Sequence, residues 1–148
     1  MKHSWADFAK SDAEMAAFGE VRLKAAAPSF LGTVNADGLP RVHPVTPILG
    51  EGHLLLFMNP TSPKGRDLQR GSGYALHCSV TDDTGTSGEF YCKGHAELNT
   101  DPAMRDLAAK YGYAPLPRYI LFELSVEAAA TSTYPADSDP VRKRWTAS

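Results

Sequence analysis

Cysteine and long apolar runs are both scarce in this chain of 148 residues. Cys78 and Cys92 are the only cysteines, and neither stands in a Cys-x-x-Cys or Cys/His spacing, so no metal site is predicted. No stretch approaches the roughly 20 apolar residues of a membrane helix. The first ten residues lack the apolar run of a secretion signal. We therefore expect a soluble, cytoplasmic protein whose two thiols are buried and reduced.

Excess charge is also missing, since the net charge is −2 and the isoelectric point is about 6.2. No bulk field draws such a chain to nucleic acid or to an anionic membrane. Hydrophobic content of 43% and charged content of 22% are ordinary globular values. The length predicts a single domain over residues 1–148, long enough to bury about two thirds of its unfolded surface.

Sequence signatures of self-contained catalysis are absent as well. The chain has no Gly-x-Ser-x-Gly, no His-Glu-x-x-His and no phosphate-binding Gly-x-x-x-x-Gly-Lys-Ser/Thr motif. Its histidines are scattered over separate predicted strands, so no catalytic residue is predicted. Any chemistry would depend on a bound cofactor, with the protein supplying position and electrostatics.

Helices are predicted where capping residues precede apolar repeats. A capping-box pattern at residues 11–14 predicts a helix over 12–26, and a similar pattern at 4–7 allows a short helix before it. Ser62 and Pro63 favour a short helix that ends near Gly71. A further helix is predicted over 102–111, and residues 130–148 are predicted to form a polar tail.

Strands are predicted between turn signals. The Asp37-Gly38 and Glu51-Gly52 pairs predict tight turns. Three prolines in the second strand place it at a sheet edge or require bulges, because proline cannot donate to a ladder. The predicted strands cover residues 30–35, 39–49, 53–58, 74–81, 89–98 and 119–126. Six short strands at regular spacing predict a closed or partly open antiparallel barrel.

The short helix that follows the third strand is a candidate phosphate site. Free backbone N–H groups, the hydroxyls of Thr61 and Ser62, and the cations Lys64 and Arg66 would all favour an anion there. The alternative is a well-capped helix whose charges are simply solvated.

The segment from Phe30 to Ala96 carries a family resemblance. Asp37-Gly38-Leu39-Pro40, followed by Asn59, Ser62 and Lys64, resembles the pyridoxamine-phosphate-oxidase-like, FMN-binding split-barrel family. The resemblance implies a mainly β (α+β) fold, a six-stranded antiparallel split β-barrel with flanking helices. It also implies a homodimer with sites at its interface and hydride transfer through FMN to or from a small substrate. Pro63 stands where the oxidases carry an arginine, which weakens pyridoxamine phosphate as the substrate.

The same resemblance implies a set of cofactor-binding residues. The second strand would line the flavin ring, and the loop after the third strand would hold its phosphate, with Arg66 as the nearest substitute for the missing arginine. The implied residues are His43, Pro44, Val45, Thr46, Pro47, Ile48, Met58, Thr61, Ser62, Lys64, Arg66, Glu89 and Trp145. Two of them have ordinary alternatives: His43 as a solvent-facing strand histidine, and Trp145 as part of a frayed tail.

Other ligands and one pairing remain open. A deazaflavin is the main rival cofactor, and a non-catalytic flavin or haem carrier is the rival function, with His43 or His95 as haem ligand. A symmetric loop centred on Gly85 would place Cys78 opposite Cys92. We still predict free thiols, because the cytoplasm is reducing.

Overall fold

The computed structural model describes residues 1–25 and 27–148. Within this part of the chain there are four helices: α1 (Trp5–Ser11), α2 (Ala13–Leu23), α3 (Pro63–Gln69) and α4 (Pro102–Tyr111). The strands are β1 (Ser29–Val34), β2 (Pro40–Val45), β3 (Ile48–Gly50), β4 (His53–Met58), β5 (Gly73–His77), β6 (Glu89–Asn99), β7 (Ile120–Leu124), β8 (Ala128–Thr133) and β9 (Val141–Thr146).

All the strands join one antiparallel sheet that curls into a half-barrel, so the predicted mainly β, split-barrel fold is confirmed. The strand order is β2-β1-β5-β6-β7-β4-β3, with β8 pairing with both β6 and β9. The long strand β6 connects the two halves of the sheet. Residues 91–95 pair with β5, 89–93 with β8 and 96–99 with β7. β6 has 11 residues, which is long enough to pair with all three of these strands.

Both predicted tight turns are confirmed. Gly38, with φ of +82°, closes the β1–β2 hairpin, and the Asn35 side chain accepts hydrogen bonds from the backbone of Asp37 and Leu39. Glu51 and Gly52 both have positive φ in the β3–β4 turn. Glycine favours this left-handed conformation because it has no Cβ.

The predicted strand over 39–49 is wrong in one respect, because the chain divides it into β2 and β3. Thr46 and Pro47 lie between the two strands. β2 lies at one end of the strand order and β3 at the other, so both are edge strands, as the prolines required. The break brings the chain from one edge of the curled sheet to the opposite edge.

The prediction of a polar tail from residue 130 is wrong. Residues 128–133 and 141–146 form the β8–β9 hairpin, which together with the division of the second strand raises the number of described strands from the predicted six to nine. The Trp145 ring lies 4.7 Å from the Phe8 ring, and its Nε1–H donates to Ser11 at 2.8 Å. Exposed Arg and Lys side chains on β9 concealed the strand pattern, although such charges are usual on edge strands.

The helix predictions are largely confirmed. Asp12 caps α2 by accepting from the Met15 N–H at 3.0 Å, and Ser4 caps the short α1 with a full capping box. The helix ends at Leu23, and Ala26, which the prediction included, lies outside the described residues. The predicted helix over 102–111 matches α4. No helix in residues 1–25 and 27–148 is long and apolar enough to cross a membrane.

Two apolar clusters fill the structure. The larger lies within the curled sheet and contains Phe8, Phe90 and Phe122, all fully buried. The smaller lies under α4 and joins Ile48 and Leu55 with residues of β7 and α4. The loop that leads from β4 to α3 begins where these clusters meet, because Met58 belongs to the first cluster and Phe57 to the second.

Both cysteines are buried and unbridged, but the predicted pairing between them is wrong. Leu76 is opposite Cys92 in the β5–β6 ladder, so Cys78 lies across from Phe90. Because Cys78 lies across from Phe90, the loop between the strands is centred on Thr84 rather than on Gly85. The two cysteines share the inner face as diagonal neighbours.

Candidate functional site

The loop before α3 is built by its own hydroxyl groups. Ser62 Oγ accepts from the Gly65 N–H at 3.1 Å and donates to the Asn59 carbonyl at 2.7 Å. Thr61 Oγ1 donates to the Asn59 side chain at 2.9 Å. A Cβ on Gly65 would lie 2.5 Å from the Asn59 carbonyl oxygen, so the turn requires glycine. The two predicted hydroxyls thus shape the loop, and Lys64 emerges from it.

Lys64 borders a pocket of about 540 Å³ with an aromatic wall. The other lining residues are Phe57, Met58, Asn59, Tyr113, Pro115, Leu116 and Tyr119. The Phe57 and Tyr113 rings lie 5.6 Å apart, and burial raises the pKa of the Tyr113 hydroxyl. A cation beside flat apolar rings suits a ligand that is anionic at one end and planar at the other.

Arg105 of α4 fixes the aromatic wall in place. Its guanidinium donates to the carbonyl oxygens of Tyr119 at 2.7 Å and Leu116 at 3.2 Å. It also lies 5.0 Å from the centre of the Phe57 ring. One side chain therefore ties the loop between α4 and β7 to β4. Arg105, Tyr113 and Tyr119 were not predicted as site residues, because contacts such as those of Arg105 and Tyr113 with Phe57 span 48 and 56 residues.

Arg66 faces a different part of the surface from Lys64. It lines a shallow polar groove of about 260 Å³ with Arg41, Arg70 and Asp37. The structure thus separates two cations that the sequence analysis grouped in one phosphate site. Lys64 and Arg66 lie two positions apart within one turn of α3, so their side chains leave the helix on opposite sides.

Asp67 is the buried charge that holds this region together. Its carboxylate accepts from Thr33 at 2.8 Å, from Arg41 Nε at 2.9 Å, and from Arg70. The Arg41 guanidinium, together with Thr33 and Arg70, holds the pKa of Asp67 below its ordinary value against the opposing effect of burial. Asp67 thereby fixes α3 against β1 and β2, and it went unnoticed in the sequence because a buried carboxylate has no distinctive pattern.

His43 is half-buried on β2, opposite Leu31, and does not face solvent freely. Its Nε2 is buried and has no hydrogen-bond partner among the described residues. Burial, and then the positive charges of Lys64 and Arg41, lower the pKa of the His43 ring. The nearby carboxylate of Asp67 opposes this shift without outweighing it, so positive charge predominates around the ring.

The rest of the predicted ring-binding segment alternates between core and surface. Val45, Ile48 and Met58 are buried in the apolar clusters and can offer only backbone atoms to a ligand. Pro44 and Thr46 are exposed, and Pro47 is half-buried. The break between β2 and β3 leaves backbone groups of this segment without ladder partners, which is where a ligand edge could bind.

Glu89 and Trp145 have other contacts within the chain. Glu89 accepts from the Tyr134 hydroxyl at 2.6 Å, and Trp145 packs against α1. No contact among the described residues joins either side chain to His43 or Lys64. Their predicted roles at a cofactor therefore remain predictions.

A second depression lies on the outer face of β1, β5 and β6, with a volume of about 430 Å³. Gly32, Gly73 and Ala75 form its floor. His95 Nδ1 is 2.8 Å from a Glu127 carboxylate oxygen that also accepts from the Ser125 hydroxyl. The other ring nitrogen, Nε2, lies 3.9 Å from the position that a Cβ on Gly73 would occupy. No group of three His, Cys, Asp or Glu side chains in residues 1–25 and 27–148 could hold a metal ion.

Comparisons with known proteins identify the architecture. No family model and no curated protein matches the sequence. Among solved structures, a haem-binding protein from Mycobacterium smegmatis has a TM-score of 0.65 at 18% identity, over 84% of this chain and 55% of that one. The chain thus spans about half the length of that protein.

Two further structures are covered almost completely. A candidate pyridoxamine 5′-phosphate oxidase from Lactobacillus delbrueckii has a TM-score of 0.58 at 22% identity, over 75% of this chain and 89% of that one. A NimC/NimA family protein from Clostridium acetobutylicum has a TM-score of 0.63 at 16% identity, over 90% and 93%. The chain has the pyridoxamine 5′-phosphate oxidase-like split-barrel fold. At these identities the likeness establishes the fold alone, and the split-barrel site must be argued from its own residues.

The Asp67 cluster generates the first prediction. Asp67→Asn should lower the free energy of unfolding by about 2 kcal/mol at pH 7, because it leaves two arginines without their carboxylate. The folded-state pKa lies below the ordinary value of 3.8, so this stability is present above that pH and is lost as the pH falls through the folded pKa. Urea unfolding at pH 7 and pH 3 should show the difference between variant and wild type shrinking.

Asp37→Asn provides the matched control, since Asp37 is exposed and lines the same polar groove. It should change stability by less than about 0.5 kcal/mol. Equal effects of the two substitutions would contradict an anchoring role for Asp67.

Proposed function

We propose that this split-barrel protein is a flavin-dependent oxidoreductase that binds FMN with the phosphate between Lys64 and His43. The observation that carries the proposal is the buried, unpartnered Nε2 of His43, whose ring lies close enough to Lys64, a residue of the aromatic pocket, for the lysine charge to lower its pKa. Unbalanced positive charge in a partly desolvated place favours an anion. The resemblance of the Asp37–Lys64 motifs to FMN-binding split barrels supports the same assignment.

The unpartnered His43 nitrogen tests whether a phosphate suits these residues. A buried ring nitrogen without a partner is costly unless a ligand or water completes it. A phosphate would supply the missing acceptor, and its charge would offset the repulsion from Lys64 and Arg41 that now disfavours the imidazolium. The residues present therefore suit the group, and His43 would take up a proton as the phosphate binds.

The neighbouring segments would hold the planar part of the cofactor. The backbone between β2 and β3, with Thr46 exposed at its centre, borders the site on one side. Phe57, Tyr113 and Tyr119 offer ring faces on the other. A bound flavin supplies hydride transfer to or from a small substrate, while this chain positions the ring and limits access of water. A deazaflavin carries a comparable ring and phosphate and is the alternative cofactor.

The apolar outer face of β1 and β2 supports assembly as a homodimer. Val42 is 69% exposed, and Phe30, Val34 and Leu39 are also exposed large apolar residues around it. Val42 pairs with Gly32, which pairs in turn with Ala75, so the face is flat and poor in charge. Contiguous exposed apolar surface of this kind marks an interaction site. We assign it to a second copy, because split-barrel flavin sites lie between two subunits.

Haem binding without catalysis is the second candidate function. The position and hydrogen bonding of His95 favour it. Glu127 holds Nδ1, which leaves Nε2 directed over the small-residue floor of the outer depression. A carboxylate behind an imidazole is a common arrangement for a metal-ligating histidine. His43, the other histidine considered, has a buried Nε2 beside two cations and is less suited to iron.

Substitution of Lys64 tests the main proposal. Lys64→Ala should weaken FMN binding at least tenfold and leave riboflavin, which lacks the phosphate, nearly unaffected, because a charge-assisted hydrogen bond is worth about 1.5–3 kcal/mol. Flavin fluorescence titration measures both constants. Deazaflavin and haemin, titrated in parallel, separate the alternative ligands.

Arg66→Ala is the matched control, because Arg66 lies on the same helix but faces the other groove. It should leave FMN affinity within about twofold. A larger loss for Arg66→Ala than for Lys64→Ala would place the phosphate in the polar groove. Absence of any flavin binding at 100 µM-scale concentrations would contradict the proposed function.

Light scattering tests the proposed dimer. The wild-type protein should have the mass of two chains, and Val42→Lys should shift it to one chain by placing a charge in the interface. Val21→Lys is the control, since Val21 is 70% exposed on α2, away from this face. A monomeric wild type that binds one flavin per chain would contradict the assignment.

A further inference from the structure

Cys78 lies just beyond the end of β5 in an unusually polar surrounding for a buried thiol. It is 1% exposed, and its Sγ accepts from the Phe90 backbone N–H at 3.2 Å. His77 Nδ1 lies 2.6 Å from the Cys78 carbonyl oxygen, and Arg22 donates to the carbonyl of the next residue, Ser79. Arg22 and His77 are both half-buried, so this part of the chain lies near the surface.

The surrounding donors favour the thiolate form. Burial alone would raise the pKa of Cys78, but hydrogen bonds from His77, the Phe90 N–H and Arg22 outweigh it and lower that pKa. Arg22 is itself held in place, because its Nη2–H donates to the Ser79 carbonyl at 2.7 Å. A thiolate beside Arg and His is the reactive form of cysteine.

Two polar groups in this region have no partner among the described residues. They are Arg22 Nε and Ser29 Oγ, and Ser29 is 1% exposed. The pairing of Phe30 with His77 places Ser29 across from Cys78, and the Ser79 hydroxyl donates to the Pro28 carbonyl at the same point. Both unpartnered groups can donate a hydrogen bond, one from the residue across from Cys78 and the other from an arginine bound to the next residue along the chain.

Cys92 provides an internal contrast. It is equally buried on the same face, but its only polar side-chain neighbour among the described residues is the Tyr74 hydroxyl at 3.7 Å. Burial raises its pKa to about 12. Cys92 is therefore a packing residue, whereas Cys78 has the surroundings of a reactive thiol.

We propose that Cys78 is a peroxide-sensitive site, with Arg22 and Ser29 positioned to bind the oxygen that oxidation adds. The thiolate sulfur attacks one oxygen of a hydroperoxide, an S–O bond forms and the O–O bond breaks. The sulfur loses two electrons, and the leaving hydroxide or alkoxide takes a proton from water. The sulfenic oxygen is the acceptor that the Arg22 Nε–H and the Ser29 hydroxyl lack.

The register of β5 and β6 determines the fate of the oxidised sulfur. Cys92 is opposite Leu76, so it is a diagonal neighbour of Cys78. Diagonal positions have Cα atoms about 7–8 Å apart, which is beyond the usual disulfide range. The sulfenic acid is thus not resolved within the chain, and it persists until a thiol from outside attacks it.

Trapping in the native protein tests this proposal. Wild-type protein is treated with hydrogen peroxide and a cyclic 1,3-diketone that reacts with sulfenic acids, and the two cysteine peptides are quantified by mass spectrometry. Labelling at Cys78 should exceed labelling at Cys92 at least tenfold. Alkylation after denaturation should recover both peptides equally, which checks their detection.

Substitution at Arg22 tests its part in the site. Arg22→Gln should lower the trapping rate at Cys78 several-fold, whereas Lys24→Gln, at an exposed residue on the same helix end, should not. Circular dichroism confirms that each variant is folded. Three results would overturn the proposal: no labelling of native Cys78, equal labelling of both cysteines, or an unchanged rate in Arg22→Gln. The comparison of the two cysteines uses wild-type protein and therefore does not depend on the folding of a variant.

Discussion

The carboxylate of Asp67 is the interaction on which the candidate site depends. It joins a serine-capped helix of seven residues to the first hairpin through Thr33 and Arg41. Without this link, α3 would contact the sheet through few apolar residues, because Leu68 is its only large buried side chain. The link fixes the helix that carries Lys64.

The sequence predicted those parts of the fold that local chemistry determines. The Asp37-Gly38 turn, the capped helix α4 and the paired strands up to β7 follow from glycine, capping residues and alternation. The β8–β9 hairpin escaped prediction because its second strand alternates charged residues with few apolar ones. Its stability comes from pairing with β6 and from Trp145 packing on Phe8, which are contacts made far along the chain.

The candidate site shows the same difference between features set by local sequence and features set by tertiary contacts. Lys64 could be named from the helix start at which it lies, which is a local feature, whereas His43 was named from the family resemblance. Arg66 could not be separated from Lys64, because the side of a short helix that each residue faces depends on how Asp67 fixes it. The aromatic wall from Tyr113 and Tyr119 depends on Arg105, whose hydrogen bonds have no sequence signature. Charge can thus be predicted locally, whereas the pocket beside it requires the tertiary structure.

The central claim is that the phosphate of FMN binds beside His43, and the ionisation of that ring tests it most directly. Proton NMR can follow the His43 ring through a pH titration, with His43→Gln assigning the signal. In the free protein, burial and the nearby Lys64 and Arg41 lower the pKa of His43 from 6.5. Saturation with FMN should raise that pKa, whereas riboflavin should leave it unchanged. An unchanged pKa with FMN bound, or an equal rise with riboflavin, would contradict the account.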